Sequence, residues 1–141
     1  MKIKRMNWFV KLITGGWALA ITIAPFGIYI DADPNDYPYA INEEKTHWMQ
    51  QIELMFVGTL LMLITMTVFL MVDVKAWMYL LLIPMPFLFY IWYFVEWIIK
   101  LLTPPVGAYK DLCFEREAKD HVLDFEYYLT RKHFAQIKYL L

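Results

Sequence analysis

Asn42-Glu43-Glu44-Lys45-Thr46-His47-Trp48-Met49-Gln50-Gln51-Ile52-Glu53-Leu54 joins a polar, carboxylate-rich helix start to a long apolar run. Asn42 reads as an N-cap, which puts Glu43 and Glu44 in the first turn, where the helix dipole favours anions. From Gln50 to Val72 the sequence is apolar enough, and at about 20 residues long enough, to cross a hydrocarbon core. The chain therefore enters a membrane here, and several of its charged residues gather just outside it.

Composition agrees. The 141 residues are 60% hydrophobic and 18% aromatic, with a mean hydropathy of +0.42, too apolar for a soluble domain of this length. The formal charge of -1 gives no basic footprint for nucleic acid. Cys113 is the only cysteine, which excludes an internal disulfide and a cysteine-based zinc site.

On the N-terminal side, Lys2, Lys4, Arg5 and Lys11 precede a second apolar run, Leu12 to Ile30. Its length suits a spanning or half-buried helix, although Gly15, Gly16, Pro25 and Gly27 interrupt it. No small-residue cleavage site follows it, so it is not read as a signal peptide. Asp31 to Tyr39, with Pro34 and Pro38, is a polar loop.

On the C-terminal side, Asp73 to Lys75 makes a short polar turn, and a third apolar run extends from Ala76 to Leu102 with Pro84 and Pro86 to kink it. It carries one acid, Glu96, among Trp92, Tyr93 and Trp97. A carboxylate at membrane depth is costly and marks a paired or functional group. Residues 50–72 and 76–102 form a helical hairpin, so the polar stretches before and after it lie on one side of the bilayer. Thr103-Pro104-Pro105 ends the hairpin, and residues 103–141 read as an amphipathic helical segment on the membrane surface. The expected fold is a single all-α integral membrane domain over 1–141, with three hydrophobic helices (12–30, 50–72 and the Pro-kinked 76–102) and this C-terminal segment.

Glu43 and His47 are four apart and share a helix face, with Glu44 beside them. This is the spacing of the H-E-x-x-H metal motif with glutamate in place of its first histidine. In the C-terminal segment, Glu115 and Glu117 point about 200° apart on a helix and cannot both face one metal. Glu115 shares its face with the small Ala118, which would let this helix approach the first one closely. Glu117 aligns instead with His121, which would supply a nitrogen ligand. Both choices are open from the residues alone.

Several blocks together carry a resemblance: Asn42-x-Glu44-x-x-His47, Gln50-Gln51-x-Glu53-Leu54, the aromatic hairpin with Phe87, Tyr90, Trp92, Tyr93 and Glu96, then Phe114-Glu115-Arg116-Glu117-Ala118, Tyr127, Arg131-Lys132 and Lys138-Tyr139. Over about residues 40–141 the chain resembles a family of small bacterial membrane proteins similar to zincin-type metallopeptidases. Their pattern reads Asn-His-Glu-x-x-His, Gln-Gln-x-Glu-Leu and Phe-Glu-Arg-Glu-Ala. Glu43 stands where that pattern has its first histidine.

The resemblance implies a membrane-embedded metallopeptidase, or a catalytically inactive relative acting as an interaction protein. Its metal ligands would be Glu43, His47 and Glu115, with Glu117 and His121 as the alternative, and Glu44 would be the general base. Asn42, Gln51 and Glu96 are expected around the ligands. Zinc is the implied metal, while a carboxylate-rich donor set also suits iron or manganese and leaves a redox role open. The expected partners are the lipid bilayer and a peptide or membrane-protein substrate. The expected location is the bacterial cytoplasmic (inner) membrane, multi-pass, with the N-terminal cations in the cytoplasm. The site then lies on the outer face if 12–30 spans, and on the cytoplasmic face if it does not.

Overall fold

The computed structural model describes residues 1–16, 18–102 and 109–140. The Thr103-Pro104-Pro105 stop lies outside them. The chain is mostly helical, with a small sheet at its N-terminus.

That sheet corrects the reading of 12–30 as a helix. Strand β1 (Ile3–Arg5) leads into a short helix α1 (Trp8–Ile13), then strands β2 (Ala20–Ile23) and β3 (Gly27–Ile30). The sheet order is β1-β3-β2, with β1 parallel and β2 antiparallel to β3. Hydrophobicity alone does not distinguish a buried strand from a helix. The distinguishing residues are Ile21, Thr22, Ile23, Ile28 and Ile30, whose β-branches suit a pleated surface. Gly15 and Gly16, both at positive φ, follow the end of α1. Gly27 has a local reason of its own, because a Cβ there would lie 2.7 Å from the Lys2 carbonyl of the adjoining strand.

Helix α2 (Pro38–Met71) has 34 residues, about 51 Å at 1.5 Å per residue, well beyond a bilayer core of about 30 Å. It begins at Pro38 rather than at Asn42, because proline's fixed φ and missing N–H suit the first helical turn. Glu43 and Glu44 therefore sit in the second turn, and the helix dipole does not account for them. The helix has two halves of opposite character. In the first, Asn42, Thr46, His47, Gln50, Gln51 and Glu53 are buried. In the second, Phe56, Leu60, Leu63, Ile64, Leu70 and Met71 are exposed. Polar groups inside and apolar groups outside invert the arrangement of a water-soluble helix.

Two segments, Pro38–Met71 and Ala76–Leu102, are long and apolar enough to cross a membrane. The second is broken more deeply than a kink: Ala76–Leu82 and Met85–Phe87 are 3₁₀ turns around Pro84 and Pro86, and only Leu88–Leu102 is α-helical (α3). The 3₁₀ backbone lies directly on α2 at Gly58, where a Cβ would come within 1.9 Å of the Met85 carbonyl oxygen.

The C-terminal segment contains helix α4 (Cys113–Asp120), a single turn α5 (Tyr127–Thr130) and a 3₁₀ turn Ala135–Tyr139. It packs against α2 and α3. Phe114 packs with Leu54, Phe89 and Cys113 in the central cluster, and Ala118 is fully buried. On the other side of α2, Ile28 and Ile30 of β3 pack on Ile41. The sheet, the first half of α2 and the C-terminal segment thus form one polar-cored body at one end of the helical hairpin. The Asp73–Lys75 turn lies at the other end.

Candidate metal centre

Two elements meet at Glu43, His47 and Glu115. The first two come from one face of α2 and the third from the first turn of α4. One ligand atom from each lies within 4.8 Å of the others. His47 Nε2 is 3.6 Å from Glu115 Oε1. His47 and Glu115 are buried and Glu43 is half-buried.

Glu44 stands beside this group. Burial holds its carboxyl above the ordinary carboxylate range, against the opposing pull of His47 and the Thr22 hydroxyl. Burial alone would lower the His47 imidazole. The carboxylates of Glu44 and Glu115, the hydrogen bond to Gln50 and the charge of Glu43 outweigh it, and the imidazole is held above its ordinary range.

Glu115 is supported from two sides. The Tyr93 hydroxyl donates to its Oε1 at 3.0 Å, and Lys119 Nζ approaches its Oε2 at 3.2 Å. Lys119 is the one cation paired with the ligand set among the described residues. Three carboxylates (Glu43, Glu44, Glu115) against one lysine leave two negative charges when His47 is neutral. Uncompensated charge away from water is costly, and a divalent cation would offset it. The donor set of two carboxylates and one imidazole therefore fits a divalent metal. It does not select one, since oxygen-rich sites of this kind serve zinc, iron and manganese alike.

The remaining residues picked out from the sequence go elsewhere. Glu117 is fully buried, but against Arg131, whose Nε is 2.5 Å from its Oε1, and against the Tyr127 hydroxyl at 2.9 Å. His121 stacks on Tyr127, with ring centroids 3.5 Å apart. This alternative pair does not join Glu43 and His47. Asn42, Gln51 and Glu96 hold the elements rather than touching the ligands. Asn42 Nδ2 reaches the carbonyls of His121, Val122 and Asp124 at the end of α4. Gln51 ties β2 to α2, donating to the Thr22 carbonyl and accepting from the Ala24 N–H. Glu96 accepts from the Cys113 N–H and ion-pairs with Lys100.

Sequence reasoning missed Tyr93, Lys119, Gln50 and the Glu53–Arg131 pair at 2.8 Å. Lys119, four residues after Glu115, and Gln50, three after His47, were legible from helical spacing. Tyr93 and the Glu53–Arg131 pair join residues far apart in the chain and leave no local pattern.

The chain matches no protein-family model, no curated protein and no solved structure.

Proposed function

We propose that this protein is a membrane-embedded metallopeptidase of zincin-like design, with Glu43, His47 and Glu115 as metal ligands and Glu44 as general base. The observation that carries the reading is the convergence of two helices on one Glu-His-Glu cluster with a third acid, Glu44, beside it. A bound divalent ion would supply Lewis acidity, polarising a carbonyl and acidifying water. Glu44 takes a proton from the attacking water and returns it to the leaving amine. Its carboxyl, held above the ordinary range by burial, is a stronger proton acceptor than an exposed glutamate. Tyr93 and Lys119 keep Glu115 oriented toward His47. The substrate is a peptide segment presented at the membrane face.

Charge distribution supports a cytoplasmic location for the site in a bacterial inner membrane. Residues 20–30 are strands packed on the start of α2, so the N-terminal cations share a side with the site and with Lys45, Lys119, Lys132 and Lys138. The turn between the spans has only Lys75. The positive-inside rule puts the cation-rich side in the cytoplasm.

A second reading, a metal-binding membrane interaction protein without turnover, is favoured by glutamate in the first ligand position. Elemental analysis of the detergent-purified protein separates the outcomes. The expected result is near-stoichiometric metal in the wild type, lost in His47→Ala and kept in Glu44→Gln, with peptide hydrolysis abolished in Glu44→Gln. Metal retained by Glu44→Gln with no turnover in the wild type supports the interaction protein. No metal in the wild type overturns both readings.

A further inference from the structure

We propose that Glu117 and Arg131, which do not reach the Glu43–His47–Glu115 cluster, are positioning residues that fix the tautomer of His47 through Gln50 and so present Nε2 as the ligand atom. The inference rests on the metal-centre reading for its purpose, while the chain of hydrogen bonds stands on geometry alone.

The chain begins with charge. The Arg131 side chain is 1% exposed; its Nε lies 2.5 Å from Glu117 Oε1 and its other nitrogen 3.2 Å from Oε2. The Tyr127 hydroxyl donates to the same carboxylate. A buried carboxylate gripped by a guanidinium is ionised, and an ionised carboxylate only accepts hydrogen bonds. The Gln50 group 2.9 Å from Glu117 Oε2 must therefore be its NH₂. The same nitrogen is 3.1 Å from the Phe114 carbonyl, a second group that can only accept. Both amide hydrogens are thereby placed, and the amide cannot flip without two acceptor–acceptor contacts in a buried site.

The orientation of Gln50 then decides His47. Gln50 Oε1, which has no hydrogen to give, lies 2.8 Å from His47 Nδ1. Nδ1 must carry the proton of the neutral imidazole, and the lone pair falls on Nε2. That nitrogen faces Glu115. The competing arrangement, with the proton on Nε2 and shared with Glu115, loses on distance: 3.6 Å is beyond a hydrogen bond, whereas 2.8 Å is a short one. An N–H donated from the far ring nitrogen also makes the ligating nitrogen more basic. Removing such partners lowers metal affinity by about 10–100-fold.

The chain has only three histidines, His47, His121 and His133, so the tautomer can be read by ¹⁵N NMR of the full-length, histidine-labelled, metal-free protein in detergent, at alkaline pH. The His47 signals are those that vanish in His47→Ala. The wild type should show His47 protonated on Nδ1. Gln50→Leu, which leaves the Arg131–Glu117 pair intact, should release the ring into mixed tautomers. Glu117→Gln, which lets either end of a neutral amide face Gln50, should do the same, and both should weaken Zn²⁺ binding by about 10–100-fold. Glu53→Gln removes the other carboxylate partner of Arg131 without touching Gln50, and should leave the tautomer unchanged. A wild-type ring protonated on Nε2, or one that stays on Nδ1 in Gln50→Leu, overturns the proposal. Because the tautomer is read without metal, a wild type that binds no Zn²⁺ but shows the expected pattern counts against the metal-centre reading alone.

Discussion

Glu96 of α3 accepts the backbone N–H of Cys113, the first residue of α4, at 2.7 Å. Leu112, at the N-cap position, has no side chain able to do this. Glu96 supplies the cap from another helix, and Lys100 Nζ at 2.7 Å balances its charge. Since Glu115 lies in the same first turn, the cap also fixes where one candidate ligand stands. A carboxylate that reads from sequence as an isolated acid in an apolar run is thus the joint between a segment able to span a membrane and the candidate site.

Glu96→Ala should therefore lower thermal stability, by about 1–3 kcal/mol for the N–H left without its acceptor, and weaken metal binding through Glu115. Glu96→Gln keeps an acceptor for the N–H and should lose less. An Ala variant that melts with the wild type would show that Glu96 does not anchor α4.

Gly58 gives a prediction whose sign is set by competing magnitudes. Alanine is a better helix former than glycine by about 1 kcal/mol, so Gly58→Ala would ordinarily stabilise α2. Here the new methyl would fall 1.9 Å from the Met85 carbonyl oxygen. That obstacle is backbone, so the 3₁₀ segment must move away as a unit, at a cost of about 1–3 kcal/mol. The variant should unfold at lower temperature than the wild type. A stabilised variant would mean that the two spans do not touch at this point.

What was legible in the sequence was whatever local spacing encodes. The separation of Glu43 and His47 places them on one helix face, and the opposed faces of Glu115 and Glu117 separate their roles without saying which one meets His47. The apolar runs after Gln50 and after Ala76 mark the two segments able to span. The sheet was not legible, because Leu12 to Ile30 is as hydrophobic as a span, and its glycines and Pro25 interrupt a helix without pointing to strands as its β-branched residues do. Nor was the polar core, whose bonds join Gln50 to Glu117 and Glu53 to Arg131 across 67 and 78 residues. Pairings that distant are made by the packing of α4 and α5 on α2 and have no period to detect.

Glu43→His tests whether the cluster is adapted to an acidic ligand. A histidine in that position adds a nitrogen donor and removes one negative charge, which favours zinc over harder, oxygen-preferring ions. The variant should bind Zn²⁺ more tightly and Mn²⁺ more weakly than the wild type, by competition titration. Equal ratios in the two proteins would remove Glu43 from the ligand set.

Metal binding should depend on pH with a defined sign. The His47 imidazole titrates above its ordinary range because carboxylates and Gln50 outweigh burial, and a cation must displace that proton. Affinity should fall about tenfold per pH unit below the pKa of the imidazole. In the metal-free protein the raised values of His47 and Glu44 act in one direction. The folded state holds these protons more tightly than the unfolded chain, so their contribution is present at low pH and is lost as pH rises through the folded values. Thermal melts should show the metal-free protein weakening as pH rises above the ordinary ranges of these two groups, with Zn²⁺ restoring most stability at the upper end. Equal stabilisation by Zn²⁺ at both ends would exclude His47 as a ligand.

The side of the membrane can be settled with single cysteines. Cys113 is buried, and burial together with the Glu96 carboxylate pushes its thiol well up, so it should stay silent toward maleimides, which react with the thiolate. With the site in the cytoplasm, Lys75→Cys should be labelled by a membrane-impermeant maleimide in intact spheroplasts, and Lys132→Cys only after the membrane is opened. The reverse pattern would place the Glu43–His47–Glu115 cluster on the outer face. It would also show that the cations around the site do not direct topology, because in this fold the N-terminal strands and the C-terminal segment pack on the same half of α2 and must lie on one side together.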